Sequence, residues 1–387
     1  MTTQSGPLSG LTVVEMAGLG PAPLAGQLLA DLGATVTVVD RAAAAADATD
    51  INRRNKRSIA LDLKQPEAVA IVIEMAVRAD VLIEGFRPGV MERLGLGPDT
   101  LLERHPALVY ARMTGWGQSG PLASTAGHDL NYLALSGALG AMGDPTLPPP
   151  PPLNLVGDYG GGTMFLLFGV FAALWERDRS GAGQVVDAAM VDGVPAMMGL
   201  MHQWVARGEW ADSRGANLLD GGAPFYRCYE TADRQYLSVG PLEPAFFKTF
   251  VAGLEIDPSD MPPQYDRDGW PAWQDRIAAR IASQSRAHWE AVFAGSDACV
   301  TPVLSFSEAM THPHNAARDT WIDVDGVAQA APAPRFSRTP APEPRAPGAP
   351  GAEAELILRE LGYSAEAVRA ARTNGAVLGS DAETDAT

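Results

Sequence analysis

Cysteine is almost missing from this chain. Two occur in 387 residues, Cys228 and Cys299, far apart and without metal-ligand spacing around them. That excludes a disulfide framework and a cysteine-based zinc site, and it suits a reducing, cytoplasmic setting. Histidine is no more promising for metal. The six residues form no HxxxH pair, and His312 and His314 flank a proline in THPHN, which marks a turn; no metal site is expected. Basic charge is short as well, with 29 Lys and Arg against 46 Asp and Glu and a formal net charge of −17. General attraction to nucleic acid or to an anionic membrane is therefore excluded, and any anionic ligand has to be held by a local basic cluster. MTTQSGPLSG has neither a basic n-region nor an apolar h-region, and the final DAT is no anchor or peroxisomal address, so no targeting segment is expected. No long apolar run reaches the ~20 residues of a membrane span. The longest uncharged stretch, between Asp158 and Glu176, starts on three glycines and is interrupted at Gly169, which predicts a buried core helix.

What is present is an ordinary globular composition, 46% hydrophobic and 19% charged, with length enough for two domains. LTVVE (11–15) reads as a buried strand, PLAGQLLADLGA as a helix and TVTVVD (35–40) as the next strand. SIALDL, PEAVAIVIEMAVRA and DVLIEGF repeat the pattern, and LVYARMTGW adds a further strand. Strands alternating with helices predict a parallel α/β sheet, Rossmann-like over the first 120 residues. A polyproline approach, GDPTLPPPPPLN, leads to an apolar helix over 163–178. Composition shifts near 201–221, a linker that separates a large domain (1–200) from a smaller α+β domain (222–320). Residues 321–387 then return as a Pro/Ala-rich strap with two short helices and an acidic tail that should fray.

Four motifs carry chemistry. In the glycine loop after the first strand, Gly18 and Gly20 fit a dinucleotide fingerprint, but Pro23 stands at its third glycine. Asp40 and Arg41 end the second strand, where a ribose-binding acid would be; the incomplete fingerprint speaks against a nicotinamide site. NRRNKRS concentrates Arg53, Arg54, Lys56 and Arg57, whose plain reading is a solvated loop. In AGHDLNYLALSG, His128 follows a glycine at a helix entry begun by Asp129; with a pKa of ~6.5 it is a usable base. In NLVGDYGGG, Asp158 precedes a helical run. It could be an N-cap, a nucleophile or a base: capping would lower its pKa, and an apolar pocket would raise it. Glycines 160–162 would leave helix N–H groups open to a ligand oxygen.

Taken together, GLTVVEMAGLGPAP, LADLGATVTVVDR, RNKRSIALDL, EGFRPGVMERLGLG, ARMTGWGQSGP, NLVGDYGGG and DACVTPVLSFSEA resemble the family III CoA-transferase (CaiB/BaiF) superfamily over nearly the whole chain. Within it, AGHDLNYLALSG, RGANLLDGGAPFY and GPLEPAFF resemble the α-methylacyl-CoA racemases. The resemblance implies an interlocked homodimer with CoA on the Rossmann-like domain and the acyl end between the large domain of one subunit and the small domain of the other. It implies that Arg41, Arg53, Arg54, Lys56, Arg57, Arg87, Arg93 and Gly160 contact the CoA ester. His128 and Asp158 would be the two bases on opposite faces of the α-carbon, with Glu243 orienting the histidine, Asn154 beside the aspartate, and Asp129 and Tyr226 at further active-site positions. The implied reaction interconverts 2-methylacyl-CoA enantiomers by 1,1-proton transfer, needing no cofactor because CoA belongs to the substrate. A CoA transferase using Asp158 as nucleophile is the rival reading, and an acyl-CoA-binding protein with a dead site is a third. The pair of bases favours the racemase. MMGLM (197–201) could face an acyl chain, although core packing is the simpler role for it.

Overall fold

The computed structural model describes residues 6–257, 259 and 261–379; the first five residues and the acidic tail from 380 onward lie outside them. Contacts divide the chain into two compact units. The first comprises Met1–Ser136, Pro152–Met197 and Ala317–Thr387, the second Gly137–Pro151 and Met198–Ala316. Composition alone places the whole of 1–200 in the large domain, whereas the segment 137–151 packs with the second unit.

The first unit is built on six parallel strands: β1 (Thr12–Met16), β2 (Thr35–Asp40), β3 (Arg57–Ala60), β4 (Val81–Glu84), β5 (Val109–Thr114) and β6 (Val185–Ala189). Their spatial order is β3-β2-β1-β4-β5-β6, the doubly wound order of a Rossmann sheet. All five pairings are parallel, with Val14 opposite Thr37 on one side of β1 and Leu82 on the other. A sheet covered on both faces needs strands apolar on both faces. Val13, Val14, Val36, Val38, Val39, Ile59 and Val81–Ile83 meet that need and are all buried.

The covering helices of this unit are α1 (Pro21–Asp31), α2 (Pro66–Ala76), α3 (Val90–Arg93), α4 (Pro98–Arg104), α5 (Asp129–Leu135), α6 (Phe165–Ser180) and α7 (Met190–Met197). One face of the sheet packs with α2, the other with α1 and α6. The chain leaves the sheet in opposite directions from β1 and β4. This opens a crevice beyond their carboxyl ends, flanked by the turns 17–20 and 85–88. The α/β fold expected from the alternating pattern is the one observed.

The helix expected over 163–178 is longer and begins differently. It starts at Leu155 as a π-helical segment, Leu155–Met164, and continues as α6 without a break. The Tyr159 N–H donates to the Asn154 carbonyl five residues back, at 3.2 Å. Asp158 is therefore inside the first turn and is not the residue that caps it. The glycine run serves a helix crossing: a Cβ on Gly193 of α7 would stand 1.9 Å from the Gly161 carbonyl oxygen, and one on Gly161 2.6 Å from Val194 Cγ2. By length and composition Leu155–Ser180 would suffice to cross a membrane. In this fold one face, with Leu166, Leu167, Val170 and Ala173, is buried. The opposite face exposes Phe168, Phe171 and Trp175.

The second unit contains α8 (Gly199–Arg207), β7 (Arg227–Glu230), β8 (Tyr236–Val239), α9 (Pro244–Gly253), α10 (Trp270–Ile281), α11 (Arg286–Phe293), β9 (Val300–Pro302), α12 (Phe306–Thr311) and most of α13 (Pro313–Ala317). A three-stranded antiparallel sheet, β7-β8-β9, covers an aromatic core of Phe225, Phe250, Trp273 and Trp289. The returning chain adds a hairpin, β10 (Trp321–Val324) with β11 (Val327–Ala330), and then α14 (Ala354–Glu360) and α15 (Ala365–Thr373), which join the core shared with α2.

Candidate active site

A cavity of about 880 Å³ occupies the crevice, a volume that suits a cofactor-sized ligand. Its walls are the glycine loop 17–22, the turn 85–88, the segment 113–116 at the end of β5 and the approach 125–128 to α5. Arg41, Arg87, His128, Tyr132 and Asp158 all face into it. Residues separated by more than 100 positions in sequence meet here because the carboxyl ends of parallel strands share one sheet edge.

His128 is the N-cap residue of α5, in extended backbone, and its N–H donates to Asn131 Oδ1 at 3.0 Å. The cap leaves His128 exposed at the cavity. Tyr132, one turn along, stands edge-on to Trp116 with ring centroids 4.7 Å apart, and its hydroxyl donates to the Gly127 carbonyl. This packing requires glycine at 115, where a Cβ would stand 1.9 Å from the tyrosine ring. The spacing of His128 and Tyr132 on one helix face is the only sequence signal for the tyrosine. Nothing in the sequence marks Trp116 or Met190, which also line the cavity.

Asp158 is half-buried. Burial is the main influence and pushes its carboxyl above the ordinary aspartate range, and the negative charge of Asp129 pushes the same way. A hydrogen bond from the Asn154 side chain and the attraction of His128 pull against this and are outweighed. Asn154, Asp129 and His128 are thus neighbours of one acid. The glycine loop lies against it too: a Cβ on Gly20, a residue with φ of 75°, would be 3.6 Å from Asp158 Oδ2. Of the three roles left open for Asp158, a cap would need a lowered pKa and is set aside. A carboxylate held above its usual range is the stronger base.

Two N–H groups at this helix start are already engaged. The Asp158 N–H donates to Asp129 Oδ1 at 2.7 Å, and the Tyr159 N–H goes to Asn154. Gly160, expected at the ligand, does not line the cavity; its Cα face meets the Leu155 carbonyl and Met197. The glycines are spent on packing against α7.

The basic residues part company. Arg41, over the Phe86 ring at 5.1 Å, and Arg87 line the cavity. The NRRNKRS cluster does not, and it is no solvated loop either. Arg53 grips Asp40 in a bidentate pair at 3.0 and 2.6 Å. Arg54 is buried against Asp31, Gln329 and the Ala330 carbonyl. Lys56 donates to both oxygens of Glu15, at 2.9 and 2.7 Å, and to the Pro23 carbonyl. Arg57 binds Glu360 and Thr37. Buried charges persist only with partners; Arg54 and Lys56 are buried, and all four cations have found partners inside the chain. Asp40 is engaged by Arg53 and also by Ser58, which removes it as a free ribose ligand. Arg93 is exposed on α3 and lies outside the cavity lining.

Glu243 and Tyr226 belong to the second unit. Glu243 precedes α9 as its N-cap residue, and the Tyr226 ring lies 3.9 Å from where a Cβ on Gly240 would stand.

A doubly wound sheet whose crevice holds an acid and a histidine beside two arginines is equipped for acid–base work beside an anionic group. Residues 8–354 match CoA-transferase family III, and the chain belongs to that family. An α-methylacyl-CoA racemase from Mus musculus is 45% identical to it over 363 residues, 93% of this chain and 95% of that protein. The human α-methylacyl-CoA racemase is 43% identical over the same shares. An acetyl-CoA:oxalate CoA-transferase from Acetobacter aceti is 32% identical, covering 89% of this chain and 92% of its own. Among solved structures, a CaiB/BaiF family protein from Brucella suis superposes with a TM-score of 0.79 at 25% identity, covering 92% of this chain and 100% of that one.

Proposed function

We propose that this protein is an isomerase that interconverts (R)- and (S)-2-methylacyl-CoA thioesters by 1,1-proton transfer. The observation that carries the proposal is the convergence of His128 and Asp158 on one cavity, with Asp158 held above the ordinary carboxylate range. The identity to racemases over almost the full chain supports it.

The chemistry follows from the substrate. A thioester makes its α-hydrogen acidic enough for a side-chain base to remove, leaving an enolate. One base takes the proton from one face, and the conjugate acid of the other returns a proton to the opposite face. Two different bases suit this transfer, since a single base would tend to return the proton where it came from. Burial of Asp158 serves both directions: it makes the carboxylate a better proton acceptor and makes its acid form easier to reach than that of an ordinary aspartate. Arg41 and Arg87 are proposed to hold the anionic CoA portion, which makes the local positive charge that a −17 chain otherwise lacks. No cofactor besides the CoA of the substrate enters. The basic cluster acts indirectly, Lys56 tying down the first turn of α1, next to the glycine loop, through the Pro23 carbonyl.

The unit we propose is a homodimer. The exposed apolar face of α6, with Phe168, Phe171 and Trp175, suits a second copy, from which Glu243 and Tyr226 would approach His128. A reducing cytoplasm suits the two free, exposed cysteines.

The transferase reading retains one argument, the several CoA-transferases among the relatives, but it leaves His128 without work. Purified protein incubated with one enantiomer of a 2-methylacyl-CoA in deuterated buffer, with no acceptor acid, separates the two. Deuterium entry at the α-carbon with drift to a racemic mixture, followed by NMR, is the expected result. Absence of exchange, with CoA moving only after a free carboxylic acid is added, would establish the transferase.

A further inference from the structure

Asp129 is more than 90% buried, yet it is an acid lodged beside another acid. Its Oδ1 accepts the Asp158 N–H at 2.7 Å, so a residue in the first turn of α5 holds the first turn of the π-helical segment. The approach is close enough to demand glycine at 157, where a Cβ would stand 2.4 Å from that same oxygen. Oδ2 is buried too and has no hydrogen-bond partner. A buried carboxylate oxygen without a donor is costly, and a simple structural tie would be served as well by asparagine, which could satisfy the site without the charge. Chain connectivity places His128 directly before Asp129, so one side chain links the backbones of both proposed bases.

From this arrangement we infer that Asp129 is a positioning residue, which fixes the span between His128 and Asp158 and supplies the negative charge against which Asp158 works. The inference rests on the two-base reading above. Its direct effect is electrostatic: a like charge beside Asp158 disfavours the ionised form and strengthens the base. The other groups around Asp158 are few. His128 caps α5 and Tyr132 lies within it, Tyr159 follows Asp158 in the chain, Arg41 lines the same cavity, and Arg87, from the turn 85–88, acts on Tyr132. On α1 the sole ionisable residue is Asp31, bound to Arg54; on α7 it is Asp192, which is exposed. On β5 Arg112 is bound to Glu84 and Glu92, on β6 Asp187 accepts from the Gln118 N–H, and α6 carries nothing ionisable before Glu176. Among the described residues, Asp129 is the anion placed to strengthen Asp158.

The test is the pH profile of kcat/KM for α-hydrogen exchange in Asp129→Asn. The amide oxygen can still accept the Asp158 N–H, but the charge is gone. Asp158 then ionises more easily, so the acid limb should move down by roughly half a unit to one unit while the basic limb stays. The rate on the plateau should fall several-fold because the base is weaker. Gly157→Ala tests the other half: it displaces the Asp129 carboxylate and keeps its charge, so the rate should fall with the acid limb still raised. An unmoved acid limb in folded Asp129→Asn would overturn the inference. If that variant does not fold, wild-type rates in Gly157→Ala would overturn it instead. Absence of exchange in the wild type would remove the two-base reading itself, a separate outcome.

Discussion

Burial raises three carboxylates above their ordinary range among the described residues, Glu15, Glu84 and Asp158, and the first and last of them are put to opposite uses. Glu15 is 2% exposed at the end of β1 and meets Lys56 at 2.7 Å, itself 8% exposed. Gly26 leaves it room, since a Cβ there would stand 1.7 Å from Glu15 Oε2. Asp158 is only half-buried, forms no ion pair among the described residues, and has another acid as its close neighbour. The first region balances every charge it buries and becomes scaffold; the second leaves charge unbalanced at a cavity and is equipped to move protons. Local imbalance at an accessible surface, more than burial, distinguishes a reactive acid from a structural one.

The sharpest way to break the comparison is to remove a member of each pair. His128→Ala and Asp158→Asn should each lower the exchange rate by about 10²–10⁴-fold with the fold intact, measured by α-deuterium incorporation and near-ultraviolet circular dichroism. Near wild-type rates in either would take that residue out of the mechanism. Lys56→Met should instead act on stability, costing about 3–5 kcal/mol in denaturant unfolding near neutral pH because Glu15 is left buried and unpaired. The loss should shrink as pH falls, since Glu15 can then protonate; Glu15→Met combined with Lys56→Met should recover most of it. A stable Lys56→Met with weakened acyl-CoA binding would mean that the lysine serves the ligand after all.

A smaller effect separates the arginines. Arg87→Ala should raise KM for an acyl-CoA about tenfold, or ~1.4 kcal/mol, with little change in kcat. Arg53→Ala, by contrast, should lower the thermal midpoint and leave KM nearly unchanged. The smallest is a gain. Asp158 binds its proton more readily folded than unfolded, so the folded protein carries more protons and stability falls as pH rises through the folded pKa. Asp158→Asn, already inactive, should therefore melt slightly higher than wild type near neutral pH, and the difference should vanish in acid. A lower midpoint would contradict the raised pKa.

Much of the fold was legible because its signals are local. Runs such as TVTVVD and DVLIEGF, alternating with helical periodicity, specify buried parallel strands, and the sheet has them. The positions of His128 and Asp158 were legible as well, each an ionisable residue next to glycine at the entry to an apolar helix. The resemblance to the racemases supplied their pairing, which no spacing in the sequence encodes. The fate of NRRNKRS was not legible. Four cations within five residues look alike until folding brings Glu15, Asp31, Asp40 and Glu360 to them, and those partners are 13 to 303 residues away. GDYGGG misled for a similar reason: its glycines suggest open N–H groups, and the crossing with Gly193 that explains them exists only once α7 has packed.

The sequence by itself determined the elements, because periodicity and turn chemistry act between near neighbours, and it determined which residue types could do acid–base work. The tertiary structure alone decided which of those groups are free. Whether a charge becomes scaffold or reagent depends on the counter-charge and the water it meets, and both are set by chain segments that only the closed sheet edge brings together.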